Sequence, residues 1–256
     1  MPTATDPRDD IEDEPPTEVG DDGPTDDGGD GDAAAEVPVD VDEGPPAGLS
    51  WPRVVVLGAA LAFLGFAFAL FMGRDRPPGP DSVDVGFMQD MISHHEQAVD
   101  MAQTELVDGS DPTVLAFARE ILMFQSKEIG SMERLLADWD SGRGDPERQA
   151  MTWMGMSTPV AQMPGMATEE ELDSLRAAQG TNADALFLEL MARHHVGGMH
   201  MSEYAADNAG TDAARDYAAV VGRNQAIEVN EYAQTAERLG LPVDIERVDV
   251  PPAPGA

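Results

Sequence analysis

Cysteine is absent from the 256-residue sequence. This absence excludes disulfide bonds, metal sites built from thiolates and a cysteine nucleophile. A catalytic nucleophile would have to be a serine or a threonine, and none of these has an evident His–Asp partner in the sequence. We therefore expect that the protein is not an enzyme.

Basic residues are also scarce, with 15 Lys and Arg against 49 Asp and Glu and a formal net charge of −34. From Pro77 onward there are eleven basic and thirty-one acidic residues, without a basic stripe. A protein that binds DNA or RNA needs such a stripe to displace counterions. The composition therefore excludes nucleic acid as a partner and favours cations.

Large apolar side chains are nearly missing from residues 1–50, which hold seventeen acidic residues and a single base, Arg8. Such a segment cannot bury enough surface to offset its loss of conformational entropy on ordering. It predicts a disordered acidic tail over residues 1–50. A solvated tail is the simpler interpretation, and an acidic docking arm is the alternative.

One long hydrophobic run, residues 54–72, contains nineteen residues without a charge. At about 1.5 Å per residue, a helix of this length nearly spans a hydrocarbon core of about 30 Å. The run predicts a transmembrane helix over residues 51–73, with Trp51 at the interface, followed by a Pro-rich linker over 74–80. The lipid bilayer is thus a predicted partner through residues 54–72, and the protein a single-pass membrane protein. A cleaved signal peptide is disfavoured because the preceding region is long and acidic.

Helical signals fill the rest of the chain, and no convincing strand pattern is present. Asp111–Pro112 and Gly240 have the residue types of helix ends, and the stretch from Thr168 to Glu171 matches a capping box. We expect helices over about 81–107, 112–139, 168–178, 184–208 and 212–239 in a helical domain spanning 81–240. Residues 241–256 are predicted to form a disordered tail.

The two halves of this domain match at a constant offset of 100 positions over two helices. An unbroken offset of this length predicts a duplicated helical hairpin, and two hairpins make a four-helix bundle. The matched pairs are Phe87 and Phe187, Met91 and Met191, His94 and His194, His95 and His195, Met101 and Met201, Gln125 and Gln225, Glu128 and Glu228, and Ile129 and Val229.

All five histidines and thirteen of the fifteen methionines lie between Met88 and Met201. Helical spacing places one face of each histidine helix inward. These faces are Phe87, Met91, His94, Ala98, Met101 and Glu105 in the first helix and Phe187, Met191, His194, Gly198, Met201 and Ala205 in the third. Adjacent side chains differ by about 100° around a helix. Only one imidazole of each His–His pair can therefore face the bundle axis, and the other must lie at a helix–helix seam.

A His/Met set without cysteine suits soft and borderline metal ions. Thioethers favour Cu(I), and imidazole binds Cu(I), Cu(II) and zinc. The predicted metal ligands are Met91, His94, His95, Met191, His194 and His195. Accessory ligands are predicted at Met101, Met199, His200, Met201 and the five methionines of the long connection between the halves, which are Met151, Met154, Met156, Met163 and Met166. Gln125, Glu128, Gln225 and Glu228 are the predicted hydrogen-bond partners of the histidines.

Other interpretations of the same residues remain open. A methionine stripe is usually core packing, and the histidines could form a buried polar network that responds to pH. A metalloenzyme is disfavoured because no acid, base or substrate pocket can be named. A di-iron carboxylate site is disfavoured because neither His–His pair carries a Glu-x-x-His motif.

The stretches FMQDMISHHEQAVDMA and FLELMARHHVGGMHMSEYA, the Gln125/Glu128 helix and the bridge from MPGM to TEEELDSLRAAQG resemble the bacterial domain of unknown function 305 family over about residues 81–240. The resemblance implies a ferritin-like four-helix bundle, exported or membrane-anchored, with copper as the ligand of some members. By motif position, the resemblance implies that the copper ligands would be Met91, His94, His95, Met191, His194 and His195. Val196-Gly197-Gly198 departs from the usual acidic or polar residue after the second His–His pair.

Together these observations predict a membrane-anchored extracytoplasmic protein that sequesters or transfers metal ions, with copper favoured and another divalent metal as the alternative. The flanking arginines, with Arg53 before the span and Arg74 and Arg76 after it, weakly favour the opposite orientation. The extracytoplasmic prediction follows from the chemistry, because thioethers do not form disulfides in an oxidising compartment. The alternative function is a helical interaction or pH-responsive module without a metal.

Overall fold

The structure is a computed structural model that describes residues 51–72 and 76–253, and of residues 69–72 it describes the backbone. The predicted acidic tail over 1–50 lies outside the described residues. So do residues 73–75 at the start of the predicted linker and residues 254–256 at the C-terminus.

Helix α1, Trp51–Met72, contains the hydrophobic run. It ends one residue before the predicted boundary and is long and apolar enough to cross a membrane, by length and composition. The large apolar side chains of its first part, from Trp51 to Phe68, are exposed. This helix is the one candidate membrane span in the part of the chain that the structure describes.

The helical domain follows and has four long helices and one short one. Side-chain caps begin two of them as predicted: Asp111 accepts hydrogen bonds at the start of α3, and Thr168 and Glu171 form the capping box of α4. Gly240 ends α6 with a φ of 65°, a conformation that glycine adopts without strain. The helices are α2 Val83–Asp108, α3 Pro112–Asp138, α4 Glu169–Ala177, α5 Thr181–Asn208 and α6 Asp212–Leu239.

Two aspartates, 100 positions apart, join the hairpin α2–α3 to the hairpin α5–α6. Asp84 in α2 accepts hydrogen bonds from the backbone N–H groups of Gly210 and Thr211, both at 2.8 Å. Asp184 in α5 accepts them from the N–H groups of Ser110 and Asp111, at 2.8 and 3.0 Å. Each aspartate thus caps the turn of the other hairpin, and α2 and α5 run antiparallel.

The start of α5 corrects one predicted boundary. The helix begins at Thr181, three residues before the predicted start at Asp184, and its N-cap Gly180 makes no side-chain hydrogen bond. Asp184 has the residue type of an N-cap, but its side chain binds the α2–α3 turn instead.

The core of the helical domain consists of two apolar clusters. One contains Met101 and Met191, and the other contains Met91 and Met201. Because α2 and α5 are antiparallel, each cluster contains methionines from both helices, and the histidine pairs lie in the sequence between Met91 and Met101 and between Met191 and Met201. Every residue of the two predicted inward faces is buried, which confirms the helical phase.

The predicted disordered tail from residue 241 differs from the structure, which describes this segment as far as residue 253. Leu241, Val243 and Ile245 pack against the first apolar cluster. Asn230 in α6 exchanges two hydrogen bonds with the backbone of Val248, at 2.9 and 3.0 Å. The alternating apolar residues at 241, 243 and 245 give the segment a surface to bury.

Candidate metal centre

His94 and His194 lie face to face in the centre of the helical domain. Their ring centroids are 3.7 Å apart with a tilt of 32° between the planes, and both residues are fully buried. They occupy equivalent positions in α2 and α5, so the contact relates one hairpin to the other. The duplicated motif therefore converges at a single place, as the sequence predicted.

His95 and His195 lie at the seams of the two hairpins. Nε2 of His95 donates to a carboxylate oxygen of Glu128 at 2.8 Å, and Nε2 of His195 donates to one of Glu228 at 2.7 Å. The matched geometry confirms that one imidazole of each pair lies centrally and the other between helices. Glu128 and Glu228 are thus the predicted hydrogen-bond partners of two histidines. The four histidines together are the histidine layer.

The hydrogen bonds of His94, His95 and His195 determine the tautomer of each ring, and thus which ring nitrogen has a free lone pair. A carboxylate or carbonyl oxygen only accepts, so Nε2 of His95 and His195 carries the proton, as does Nε2 of His94, which donates to the carbonyl of Pro164 at 3.2 Å. In the neutral rings the lone pair then resides on Nδ1. None of these three Nδ1 atoms has a hydrogen-bond partner among the described residues, and neither ring nitrogen of His194 has one.

The central histidines are neutral at ordinary pH. Burial, followed by repulsion from His95, lowers the pKa of His94 to about 3. Burial and the neighbouring His94 hold the pKa of His194 well below its ordinary value. A neutral imidazole is the form that ligates metals, so the pair does not have to lose protons to bind an ion.

The predicted methionine ligands flank this layer. Met91, Met101, Met191 and Met201 are fully buried in the two apolar clusters. Met91 precedes His94 by three residues and His95 by four, a spacing that puts the side chains on one helix surface. The unpartnered imidazole nitrogens and the thioether sulfurs of these methionines are donor types that suit a soft ion. Among the described residues, no group of three or more His, Asp and Glu side chains is placed to hold a metal.

The long connection between the hairpins covers the histidine layer. It contains a two-residue antiparallel strand pair, β1 Gln149–Ala150 and β2 Thr158–Pro159, where the sequence predicted no strand. Its Pro164 carbonyl contacts His94, and it lies directly on α5. A Cβ added to Gly197 would be 2.0 Å from the Pro164 oxygen, so this close approach requires glycine.

The adjacent glycine makes room on the other side of α5. A Cβ added to Gly198 would lie 2.3 Å from the side-chain oxygen of Gln225. Because neither glycine has a side chain, Gly197 can contact the connection and Gly198 can contact α6. This explains in packing terms why the second motif departs from the usual sequence.

Asp90 anchors this covering segment. Its carboxylate accepts hydrogen bonds from the Arg148 guanidinium, the backbone N–H of Met151 and the indole N–H of Trp153, each at 2.7 Å. Asp90 is 2% exposed. Of the predicted accessory ligands in this connection, Met151 and Met163 are buried, and Met154 and Met166 pack partly against the core, whereas Met156 is exposed.

The structure does not bring every predicted accessory ligand to the histidine layer. His200 is exposed on α5, and Met199 beside it is half-buried. Both line a surface groove that the C-terminal residues 249–253 partly cover. Their role as accessory ligands, like that of the loop methionines, stays a prediction.

Glu105 is a buried acid that the sequence placed on the inward face without a role. It is fully buried, and neither carboxyl oxygen has a hydrogen-bond partner among the described residues. Burial and then the neighbouring Asp184 raise the pKa of Glu105 from 4.5 to about 9. The equivalent position in the other half is Ala205, so the second hairpin lacks this group.

We expect Glu105→Gln to stabilise the protein at pH 8. Between pH 4.5 and 9 the unfolded chain releases a proton that the folded chain retains, so folding costs free energy that grows with pH. Removing this cost should raise the free energy of unfolding at pH 8 by on the order of 2 kcal/mol. Chemical denaturation at pH 8 and pH 4 measures it.

At pH 4 the variant and the wild type should converge, because Glu105 is then protonated in both states. Glu203→Gln, at an exposed position of α5, is the matched control and should have no such pH dependence. A Glu105 variant that is less stable than wild type at pH 8 would contradict the buried protonated acid.

Several residues with structural roles were not predicted from the sequence. Asp84 and Asp184, which bind the turns, are also 100 positions apart, so extending the alignment of the halves would have identified them. Asp90 could not be identified in this way, because its counterpart is Leu190. Tyr232, whose hydroxyl lies 3.4 Å from Nε2 of His195, resembled an ordinary core residue.

Comparisons with known proteins find similarity over the helical domain. The sequence profile of the domain of unknown function DUF305 matches residues 84–236, and no curated protein matches the chain. A DUF305 protein from Streptomyces coelicolor has 31% identity and a TM-score of 0.59, covering 67% of this chain and 100% of that chain.

Two further structures are similar. A DUF305 fragment from Deinococcus radiodurans has 30% identity and a TM-score of 0.55, covering 63% of this chain and 99% of that chain. CopM in its Cu(I)-bound form has 26% identity and a TM-score of 0.46, covering 61% of this chain and 96% of that chain.

Proposed function

The chain belongs to the DUF305 family, and we propose that it forms a ferritin-like four-helix bundle that binds a soft metal ion, Cu(I) in preference, at the histidine layer. The observation that carries this proposal is the set of buried, unpartnered Nδ1 atoms of His94, His95, His194 and His195. A buried polar atom without a partner costs about 1–3 kcal/mol. Ligation of an ion would satisfy these nitrogens and recover that free energy.

The seam histidines support a metal role through their carboxylates. A histidine that ligates a metal almost always donates its other ring N–H to an oxygen, which orients the ring and raises its basicity. Glu128 and Glu228 provide this arrangement for His95 and His195. Met91 and Met191 would add thioether sulfur, which favours Cu(I) over harder ions.

Membrane anchoring and an extracytoplasmic location complete the proposal. Helix α1 would anchor the chain, and a metal site without thiols suits an oxidising compartment. The buried imidazole and thioether donors are suited to holding a soft ion, so we propose that the protein sequesters or hands over the ion rather than catalysing a reaction.

The test is an anaerobic Cu(I) titration of the full chain in detergent against a competing chelator. The wild type should withdraw Cu(I) from the chelator, and a His94/His95/His194/His195→Ala variant should bind more than about a hundredfold more weakly. Glu203→Ala, at an exposed position of α5, is the control and should bind like the wild type. Equal affinities of the wild type and the four-histidine variant would reject the proposal.

A further inference from the structure

A pocket of about 260 Å³ opens between α3 and α6, on the side of the histidine layer formed by the second helix of each hairpin. We call it the access pocket. Its charged lining consists of four glutamates and no basic residue: Glu120, Glu128, Glu228 and Glu231. The pocket is therefore a concentrated negative site in an already acidic protein.

Two buried amides also line the access pocket. Gln125 and Gln225 are 4% and 3% exposed, and the side-chain oxygen of each, together with the side-chain nitrogen of Gln225, lacks a hydrogen-bond partner among the described residues. Unpartnered oxygens in a pocket lined by carboxylates call for a cation or its bound water rather than an anion. This observation is independent of the glutamates and points to the same kind of ligand.

The lining residues form a graded series from solvent to the histidines. Glu120 and Glu231 are exposed, Glu128 and Glu228 are half-buried, and Gln125 and Gln225 are almost completely buried. Glu128 and Glu228 also accept the hydrogen bonds of His95 and His195. The same two carboxylates thus belong to the access pocket and to the histidine layer.

From this arrangement we propose that the access pocket is the route by which a hydrated metal cation reaches the histidine layer. The inference rests on the proposed function, because it requires an ion bound at the histidines. At about 30 Å³ per water molecule, 260 Å³ holds an ion with its hydration shell. The carboxylates hold the hydrated ion, and the amide oxygens replace water before the imidazoles bind it.

The other side of the layer is closed. The connection lies on α5 through Pro164 and Gly197 and on α2 through Gln97, which exchanges two hydrogen bonds with Ala167 at 2.9 and 2.7 Å. An ion approaching from that side would have to displace the connection. The access pocket needs no such rearrangement of the backbone.

The experiment measures loading rates with Ag(I), a soft monovalent ion stable in water, in buffer without chloride. The full chain in detergent is mixed with Ag(I), a chelator is added at timed intervals, and the retained metal is measured after gel filtration. The pocket variant is Glu120→Gln/Glu231→Gln, at two exposed rim positions. The control is Glu203→Gln/Asp207→Asn, which changes the charge equally at exposed positions of α5.

We expect the pocket variant to load about tenfold more slowly than the wild type at low ionic strength, with the same amount bound at equilibrium, because charged clefts accelerate association. The difference should shrink at high salt, and the control should load at the wild-type rate. Wild-type loading by the pocket variant, equal slowing in the control, or a loss of equilibrium affinity in the pocket variant would each overturn the route. A wild-type chain that retains no Ag(I) would overturn the proposed function as well.

Discussion

Replacing the central pair by leucine, His94→Leu together with His194→Leu, is expected to abolish tight Cu(I) binding without destabilising the metal-free protein. Leucine has a similar volume to histidine and carries no polar atom. The substitution removes three ring nitrogens that have no partner in the described structure. Replacing unsatisfied buried polar groups by apolar side chains is neutral or stabilising.

The expected gain in the free energy of unfolding is about 1–3 kcal/mol, measured by chemical denaturation of the metal-free protein. Affinity for Cu(I) should fall by more than about a hundredfold in the same preparation. Glu203→Ala, at an exposed position of α5, should change neither quantity. This pattern would mean that the central histidines are kept for ligation and not for folding.

The alternative function predicts the opposite result. If the histidines formed a structural polar network, the leucine variant would lose stability by about 3 kcal/mol or more, and metal affinity would be irrelevant. Burial lowers the pKa of His94 to about 3 and holds the pKa of His194 well below its ordinary value, which does not favour the central pair as a sensor of pH near neutrality. Loss of stability with unchanged Cu(I) binding would contradict our proposal.

Asp90→Ala is expected to release the connection that covers the histidine layer. The substitution leaves the Arg148 guanidinium, the Met151 N–H and the Trp153 indole N–H without their acceptor. Breaking a buried ion pair by removing one partner costs about 3–5 kcal/mol. We expect a loss of that size, with faster hydrogen exchange over residues 148–166.

A matched control is available on the same helix. Asp100 pairs with Arg176 at 3.0 Å, and both side chains are about half exposed. Asp100→Ala should therefore cost less than about 1 kcal/mol. If Asp90→Ala were as mild as Asp100→Ala, or if hydrogen exchange in the connection were unchanged, the anchoring role of Asp90 would be wrong.

Local sequence signals predicted most of the helical domain. The caps at Asp111 and Thr168 are satisfied by side chains within three residues, so their effect is visible in the sequence itself. The histidine phases also follow from helical geometry, since neighbouring side chains are separated by a fixed angle. The offset of 100 makes His94 and His194 equivalent positions of the two hairpins, which predicts that they meet when the hairpins pair.

The connection could not be predicted in the same way, because its contacts join residues far apart in sequence. Asp90 and Trp153 are 63 positions apart, and His94 and Pro164 are 70 positions apart. Nothing in the local pattern distinguishes Asp90 from an ordinary solvated aspartate. Likewise, glycine is required at 197 and 198 because of the distant residues Pro164 and Gln225, with which a Cβ would clash.

The reciprocal aspartates bear on how the duplication arose and how the molecule folds. Asp84 accepts hydrogen bonds from N–H groups in the turn of the second hairpin, and Asp184 accepts them in the turn of the first. In an isolated hairpin this carboxylate would lack hydrogen-bond donors, and the N–H groups of the turn would lack an acceptor. A second copy of the same hairpin supplies both. A hairpin that paired with its own copy is therefore the simplest origin of this chain. In the present protein the two halves are expected to fold as one cooperative unit.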